Sequence, residues 1–464
     1  MQSSIIKFLM KNAKIIILKI VSCIKIKYAK PKFLLFFLLV SFLFTINFIS
    51  SKKNRYSTFD DLAFFGGDTW EYQSLAVNLL HGHGYRFGGI EPLEVYKFDF
   101  NSGYASRFKH FFDTETHYSF YRTPGYPFFL KIIYNIHGIH PAVVKKYQFM
   151  IIVIIASLMP LLCYYYYGYL GVLSGTISSF LFIKYFFSDF RTGALLTEPL
   201  MLLSIFVWVI SLIFWEKNPS NYRIFIFGII SGLLLLVKGS TIFLPFIFIL
   251  FYFFYYRLSE KKKSLQILFY VFAILLTIIP WSVYASQKSN KLVLLSTQGD
   301  TMIADCNNKQ AALTGDWSTN WPTNETNLKY ILFERPHGST KNNVLTAYNF
   351  YRENISMIIL SIKNKIIFAM QYRPTKFCFI FFLFHMVHSF MTNRFQSYYR
   401  LKSIPAFAII IFINLMLLTL VFYGSRRMLV PFMYFLLIPS VHFLFLIPIY
   451  INNMLEKFNL NDSN

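Results

Sequence analysis

Two carboxylates three residues apart, Asp68 and Glu71 in Gly67-Asp-Thr-Trp-Glu-Tyr72, are the groups of this chain best suited to acid–base chemistry. On a helix that spacing puts both on one face. A carboxylate within hydrogen-bond reach of a hydroxyl contributes about 10²–10⁴ in rate as a base. The same four residues have the spacing of a capping box, with an apolar helix following and Gly82 and Gly84 placed to end it. The two readings are compatible, because a cap also fixes where its carboxylate points.

Three further motifs carry charge. In Tyr121-Arg-Thr-Pro-Gly-Tyr-Pro127, Arg122 is either a snorkelling residue beside a stiff turn or a planar fork gripping a phosphate. In Leu196-Thr-Glu-Pro-Leu200, Thr197 reads as a helix cap and Pro199 as a first-turn residue, with Glu198 favourable at that end. A carboxylate at the edge of a membrane span still costs about 1–3 kcal/mol unless solvated or paired. Lys238 and the pair Arg426-Arg427 stand where positive-inside asymmetry disfavours cations, and an anionic ligand at the outer membrane surface would account for them. The histidines lack the pairing of a zinc site; His385 and His388 read as satisfied core residues. A divalent metal is not required, and two acids without a histidine cluster support at most a weak site. No P-loop, dinucleotide fingerprint or serine-hydrolase elbow occurs.

The elements that must position these residues are membrane helices. Apolar types make up 55% of the 464 residues and charged types 14%, where a soluble domain carries about a quarter charged. Apolar runs near the length that crosses a bilayer recur. They fall at 33–50, 143–166, 171–188, 199–215, 223–238, 240–256, 265–285, 376–391, 404–422 and 429–450. The expectation is an all-α polytopic bundle of about ten spans with both termini cytoplasmic.

Its parts would be a basic interfacial segment over 1–32, a transmembrane domain over 33–450 and a tail over 451–464. External segments would cover 51–141, bearing Asp68, and 286–375, whose apolar end Ile355–Ile367 could lie along the membrane surface. The net charge of +24 comes from lysines clustered between apolar runs, which suits cytoplasmic loops and anionic headgroups and argues against nucleic acid. Cys23, Cys163 and Cys378 fall in apolar runs and Cys306 in the second external segment, without a disulfide or metal spacing.

The ordered set Gly67-Asp68-x-x-x-Tyr72-x-x-x-Ala76-x-Asn78-Leu-Leu-x-Gly82-x-Gly84-Tyr85, Arg122-x-Pro-Gly-Tyr-Pro127, Thr197-Glu-Pro199, Pro280-Trp281 and Arg427-x-x-x-Pro431 resembles the GT-C membrane glycosyltransferases. The branch it is most similar to is that of the protein O-mannosyltransferases and lipid A aminoarabinose transferases, over about residues 60–435. The resemblance implies a helical bundle with juxtamembrane helices in the first external loop. It also implies a sugar donor on a polyprenyl phosphate, a glycan, lipid or protein acceptor, and a site on the periplasmic face of a bacterial inner membrane. Asp68 matches the family's acidic residue, its proposed catalytic base; the second acid departs from the pattern, since relatives often carry adjacent acids and here Glu71 stands three residues on. Arg122, Lys238 and Arg427 map onto the residues that hold lipid phosphate. Tyr72, Glu198 and Arg426 join them as candidate contacts to sugar or phosphate. A polysaccharide polymerase or ligase acting on lipid-linked sugars, and a lipid-linked sugar flippase, are the competing readings. The flippase would show repeat symmetry and mid-membrane charges, which the sequence lacks.

Overall fold

A computed structural model describes residues 31–56, 68–88, 117–186, 195–255, 260–316, 343–371, 373–393, 405–422 and 426–461. The expected interfacial segment over 1–32 lies outside them except for its last two residues, which open the first helix. The described chain is helical apart from a two-residue antiparallel ladder, β1 (Arg86–Phe87) with β2 (His117–Tyr118). In order the helices are α1 (Pro31–Tyr56), α2 (Asp68–Leu80), α3 (Gly125–His137), α4 (Pro141–Phe186), α5 (Glu198–Lys217), α6 (Asn221–Val237), α7 (Phe243–Tyr255) and α8 (Glu260–Ser289). They continue with α9 (Gln298–Cys306), α10 (Lys309–Thr314), α11 (Asn343–Glu353), α12 (Ile355–Ala369), α13 (Arg373–Asn393), α14 (Ala406–Val421) and α15 (Arg426–Asn461).

Four stretches are long and apolar enough to cross a membrane: Val143–Tyr185, Glu198–Lys217, Ser264–Ser289 and Met428–Ile447. Shorter apolar helices accompany them over Leu34–Asn47, Asn221–Val237, Gly239–Phe253, Thr375–Val387 and Ala406–Val421. This is an all-α membrane protein. The described part of each run expected to span is almost wholly helical. The last helix continues through Asn461, so the residues expected as a tail after 450 extend the same helix.

The longest stretch folds back on itself as two limbs. A straight helix of 43 residues would measure about 65 Å, twice the hydrocarbon core. At Gly168 the backbone takes φ 61°, ψ −141°, which an L side chain rarely adopts, and the helix folds back. The limbs close over small residues. A Cβ at Gly171 would strike the Cys163 carbonyl, one at Gly175 would sit 2.8 Å from Pro160 Cα, and Ser179 Oγ donates to Ala156 O at 2.8 Å. Partner numbers fall as limb numbers rise, so the limbs are antiparallel. Glycines every fourth residue let backbones approach in this way. The limbs coincide with the apolar run 143–166 and with the described part of the run 171–188.

A second small-residue seam joins α6 to α8. A Cβ at Gly228 would meet Ala273 Cβ at 2.7 Å and one at Gly232 would meet Thr277 Cβ at 2.6 Å. Here the numbers rise together, so α6 and α8 run parallel, with α7 between them in the chain. Buried Trp208, Trp215, Tyr252 and Tyr270 fill the core around this seam, and Phe182 stacks on Tyr434 at 3.8 Å in the same core. A smaller apolar cluster of Tyr72, Tyr85, Tyr126, Leu130 and Trp281 sits at one end of the bundle, where the charged motifs meet.

Candidate active site at one end of the bundle

Helix α2 begins at Asp68 and carries Asp68 and Glu71 in its first turn. It ends where the glycines were expected to end it: Gly82 has φ 80°, and His83 N–H donates to Asn78 O at 2.9 Å across the turn, the bond of a Schellman stop. Asn78, 2% exposed, then ties the returning chain to the helix. Its Nδ2 donates to Ser74 O, Arg86 O and Gly88 O at 3.0–3.1 Å. The loop beyond comes back through β2 to Tyr121-Arg122.

Arg122 closes the site. Its Nη2 donates to Asp68 Oδ1 at 2.5 Å and its Nε to Glu71 Oε2. One guanidinium thus holds both acids of the first turn, and its Cζ lies 5.3 Å from the Tyr72 ring centroid and 4.9 Å from that of Tyr121. The exposures decide which acid is reachable: 6% for the Arg122 side chain, 8% for Glu71 and 26% for Asp68. Burial raises Glu71 above the usual carboxylate range against the pull of Arg122, with Asp68 adding to the rise. Burial opposes the charge on Arg122, yet Asp68 and Glu71 outweigh it and hold the guanidinium firmly ionised. Buried ionisable groups shifted by specific partners cluster at functional sites.

Neighbouring elements lock this arrangement. Tyr85 OH donates to the carbonyls of Arg122 and Thr123 at 3.0 and 3.1 Å, while its own N–H donates to Tyr284 OH on α8 at 3.1 Å. Thr123 Oγ1 donates to Val237 O at the end of α6 at 2.9 Å. Gly125 permits that approach, since a Cβ there would lie 2.8 Å from Leu236 O and Val237 Cα. Thr297 N–H donates to Phe120 O at 2.8 Å, which attaches the second loop segment two residues from Arg122.

The described side chains among the remaining candidates gather at the same end. Lys238, half-buried at the end of α6, exerts a Coulombic pull on Glu71. Its Nζ donates to Thr197 Oγ1 at 2.9 Å. Thr197 therefore makes no side-chain cap, contrary to its expected part, although Pro199 does occupy the first turn of α5. Glu198 opens α5 and is 3% exposed. Tyr72, expected among substrate contacts, is 1% exposed with its ring edge-on to Tyr126 at 4.9 Å; it packs the guanidinium. Arg122, expected to grip phosphate, directs Nε and Nη2 to the two carboxylates. Arg426 and Arg427 start α15, and their side chains lie outside the described residues. Chain continuity brings them to this end, since Phe422 at the close of α14 meets Phe243 at the start of α7, with ring centroids 6.5 Å apart.

No family model, curated protein or solved structure matches the chain. The site's chemistry accordingly rests on its own geometry. Sequence reasoning missed Tyr85, Thr123, Tyr284 and the hydroxyl of Thr197 as positioning groups. Tyr85 carried one signal, its place directly after Gly82-x-Gly84 at the foot of an acid-bearing helix.

Proposed function

We propose that this protein is a membrane glycosyltransferase of the GT-C kind. It moves a sugar from a polyprenyl-phosphate donor to a hydroxyl of a glycan, lipid or protein acceptor on the non-cytoplasmic face, with inversion. The observation that carries this reading is the position of Asp68 as the one accessible acid of a buried acid–arginine–acid triad at the bundle end where Lys238 also lies. About ten spans, both termini in the cytoplasm and a periplasmic site in a bacterial inner membrane belong to the same proposal.

In this mechanism Asp68 takes the proton of the acceptor hydroxyl as its oxygen attacks the anomeric carbon. The bond from that carbon to the phosphate oxygen breaks on the opposite face, and its electron pair leaves with the polyprenyl phosphate. The leaving group gains negative charge, so positioned cations stabilise the transition state. Lys238, Arg426 and Arg427 are the candidates for that task. Arg122 has another: it holds Asp68 and Glu71 in fixed orientation, and Glu71 anchors Arg122 from the buried side. Phosphate leaves readily, so no strong general acid is needed.

The test uses the full-length protein in proteoliposomes with polyprenyl-phosphate sugars and mass analysis of glycosylated products. Asp68→Asn is expected to lower transfer by about 10²–10⁴ while leaving the melting temperature close to that of the parent. Full transfer by a folded Asp68→Asn protein would reject Asp68 as the base.

A further inference from the structure

Helix α12 has a buried polar seam and, beside it, an exposed apolar ridge. Ser361, Lys365 and Ala369, each four residues on from the last, are buried. Flanking that face, about a quarter-turn round the helix, Ile355, Ile359, Ile362 and Ile366 are 71%, 76%, 40% and 40% exposed. At 100° per residue these four isoleucines fall within about 60° of arc, which makes a narrow apolar ridge. Exposed Lys363 stands at its margin, and exposed Arg352 precedes the helix on α11.

The buried face fixes both the roll and the level of the helix. Lys365, 1% exposed, donates from Nζ to Asn307 Oδ1 at 2.9 Å and to Leu420 O at 3.0 Å. Asn307 Nδ2 donates to Val421 O at 2.9 Å. Tyr351 OH meets Asn307 Oδ1 at 3.2 Å and Ser361 Oγ at 2.8 Å. Leu420 and Val421 end the apolar helix α14, and their carbonyls are among those a helix C-terminus leaves without partners. Helix α12 is thus pinned to the place where an apolar helix stops, at the bundle end that bears Arg122, with the ridge along its flank and Lys363 further round on the exposed side.

We propose that α12 lies along the membrane surface with its isoleucine ridge sunk in the acyl chains of the leaflet at the site end of the bundle. Lys365 and Asn307 set the depth. Lys363 and Arg352 reach toward anionic headgroups, as cations beside an interfacial apolar face do. The ridge sits at the end of a spanning helix, level with the layer in which any lipid-linked ligand of the site would travel. This placement does not depend on the glycosyltransferase reading.

The test places single cysteines at Ile355, Ile359, Ile362, Lys363 and Ile366 of the full-length protein in lipid nanodiscs, with Cys23→Ser. Cys163, Cys306 and Cys378 are buried, so a nitroxide reagent reports the new positions. Collisions with dissolved oxygen, which concentrates in acyl chains, are compared with those of a water-soluble nickel chelate. The expected result is oxygen-dominated broadening at the four isoleucine positions and chelate-dominated broadening at position 363. Chelate-dominated broadening along the ridge would place it in water. Shielding from both reagents would mean that protein covers it. Either result overturns the proposal, and agreement among four separate positions guards against one misfolded variant.

Discussion

Arg122→Met tests the triad most directly, because Met keeps an apolar stem and removes the guanidinium that both acids contact. Two carboxylates then remain on one helical turn. The Asp68 side chain is 26% exposed, so water screens it and its share of the loss is about 1 kcal/mol or less. Glu71 is only 8% exposed, and stranding a buried charge by deleting its partner costs about 3–5 kcal/mol. The single variant should therefore lose about 3–5 kcal/mol at pH 7, mostly through Glu71. Adding Glu71→Gln removes the stranded charge and should return all but about 1 kcal/mol, since Asp68 alone is left to solvent. The sign with pH follows from the raised Glu71 carboxyl. Without Arg122 its pKa in the folded protein stands still further above the unfolded value, so the folded state holds the extra proton. Stability is then gained as pH falls through that pKa and lost as pH rises through it. Melting of purified protein in detergent between pH 5 and 7.5 reads this out: Arg122→Met should recover on acidification, and the double variant should change far less. An Arg122→Met protein as stable as the parent at pH 7, or one that Glu71→Gln fails to rescue, would refute the assignment of Arg122 as a buried counter-charge.

Two further predictions concern the fold. Gly171→Ala drives a Cβ into the Cys163 carbonyl inside the α4 hairpin and should cost about 1–3 kcal/mol; an unchanged melting temperature would argue against the folded-back limbs. Lys365 is lowered by burial to about 8, and its two acceptors match the two N–H groups of a neutral amine. Because its folded pKa lies below the unfolded value, the parent should gain up to about 3 kcal/mol relative to Lys365→Met as pH rises from 8 toward 10.5. A difference between the two proteins that stays constant over that range would contradict the burial of this amine.

Much of the helical frame was legible from runs of apolar residues, because a bilayer rewards length and composition more than detailed packing. The fold-back at Gly168 was legible too, as a dip between two runs. What the runs could not give was pairing. The seams at Gly171-x-x-x-Gly175 and Gly228-x-x-x-Gly232 depend on which backbone each glycine faces, and that partner lies 8 to 45 residues away. Helix boundaries drifted where polar residues continue a helix beyond the hydrocarbon, as in α15 after Tyr450. The role of Thr197 was missed for a related reason: local spacing marks it as a cap, while a lysine 41 residues away takes its hydroxyl.

The acid pair shows why such errors concentrate at the site. Residues at i and i+3 share a helix face whether they cap the helix or serve a ligand, so no local rule separates the two uses of Asp68 and Glu71. The separation comes from Arg122, 54 and 51 residues distant from them. Its fork fits between two carboxylates only because they stand one turn apart and the Tyr85 hydroxyl holds the Arg122 carbonyl in place. That same contact divides the acids, since the buried one serves as anchor and the partly exposed one is left at the surface. An unpaired carboxylate at the foot of an apolar helix would swing between solvent and backbone. Held by a guanidinium, Asp68 presents a fixed edge to an incoming hydroxyl, and a base works through fixed geometry before its pKa matters.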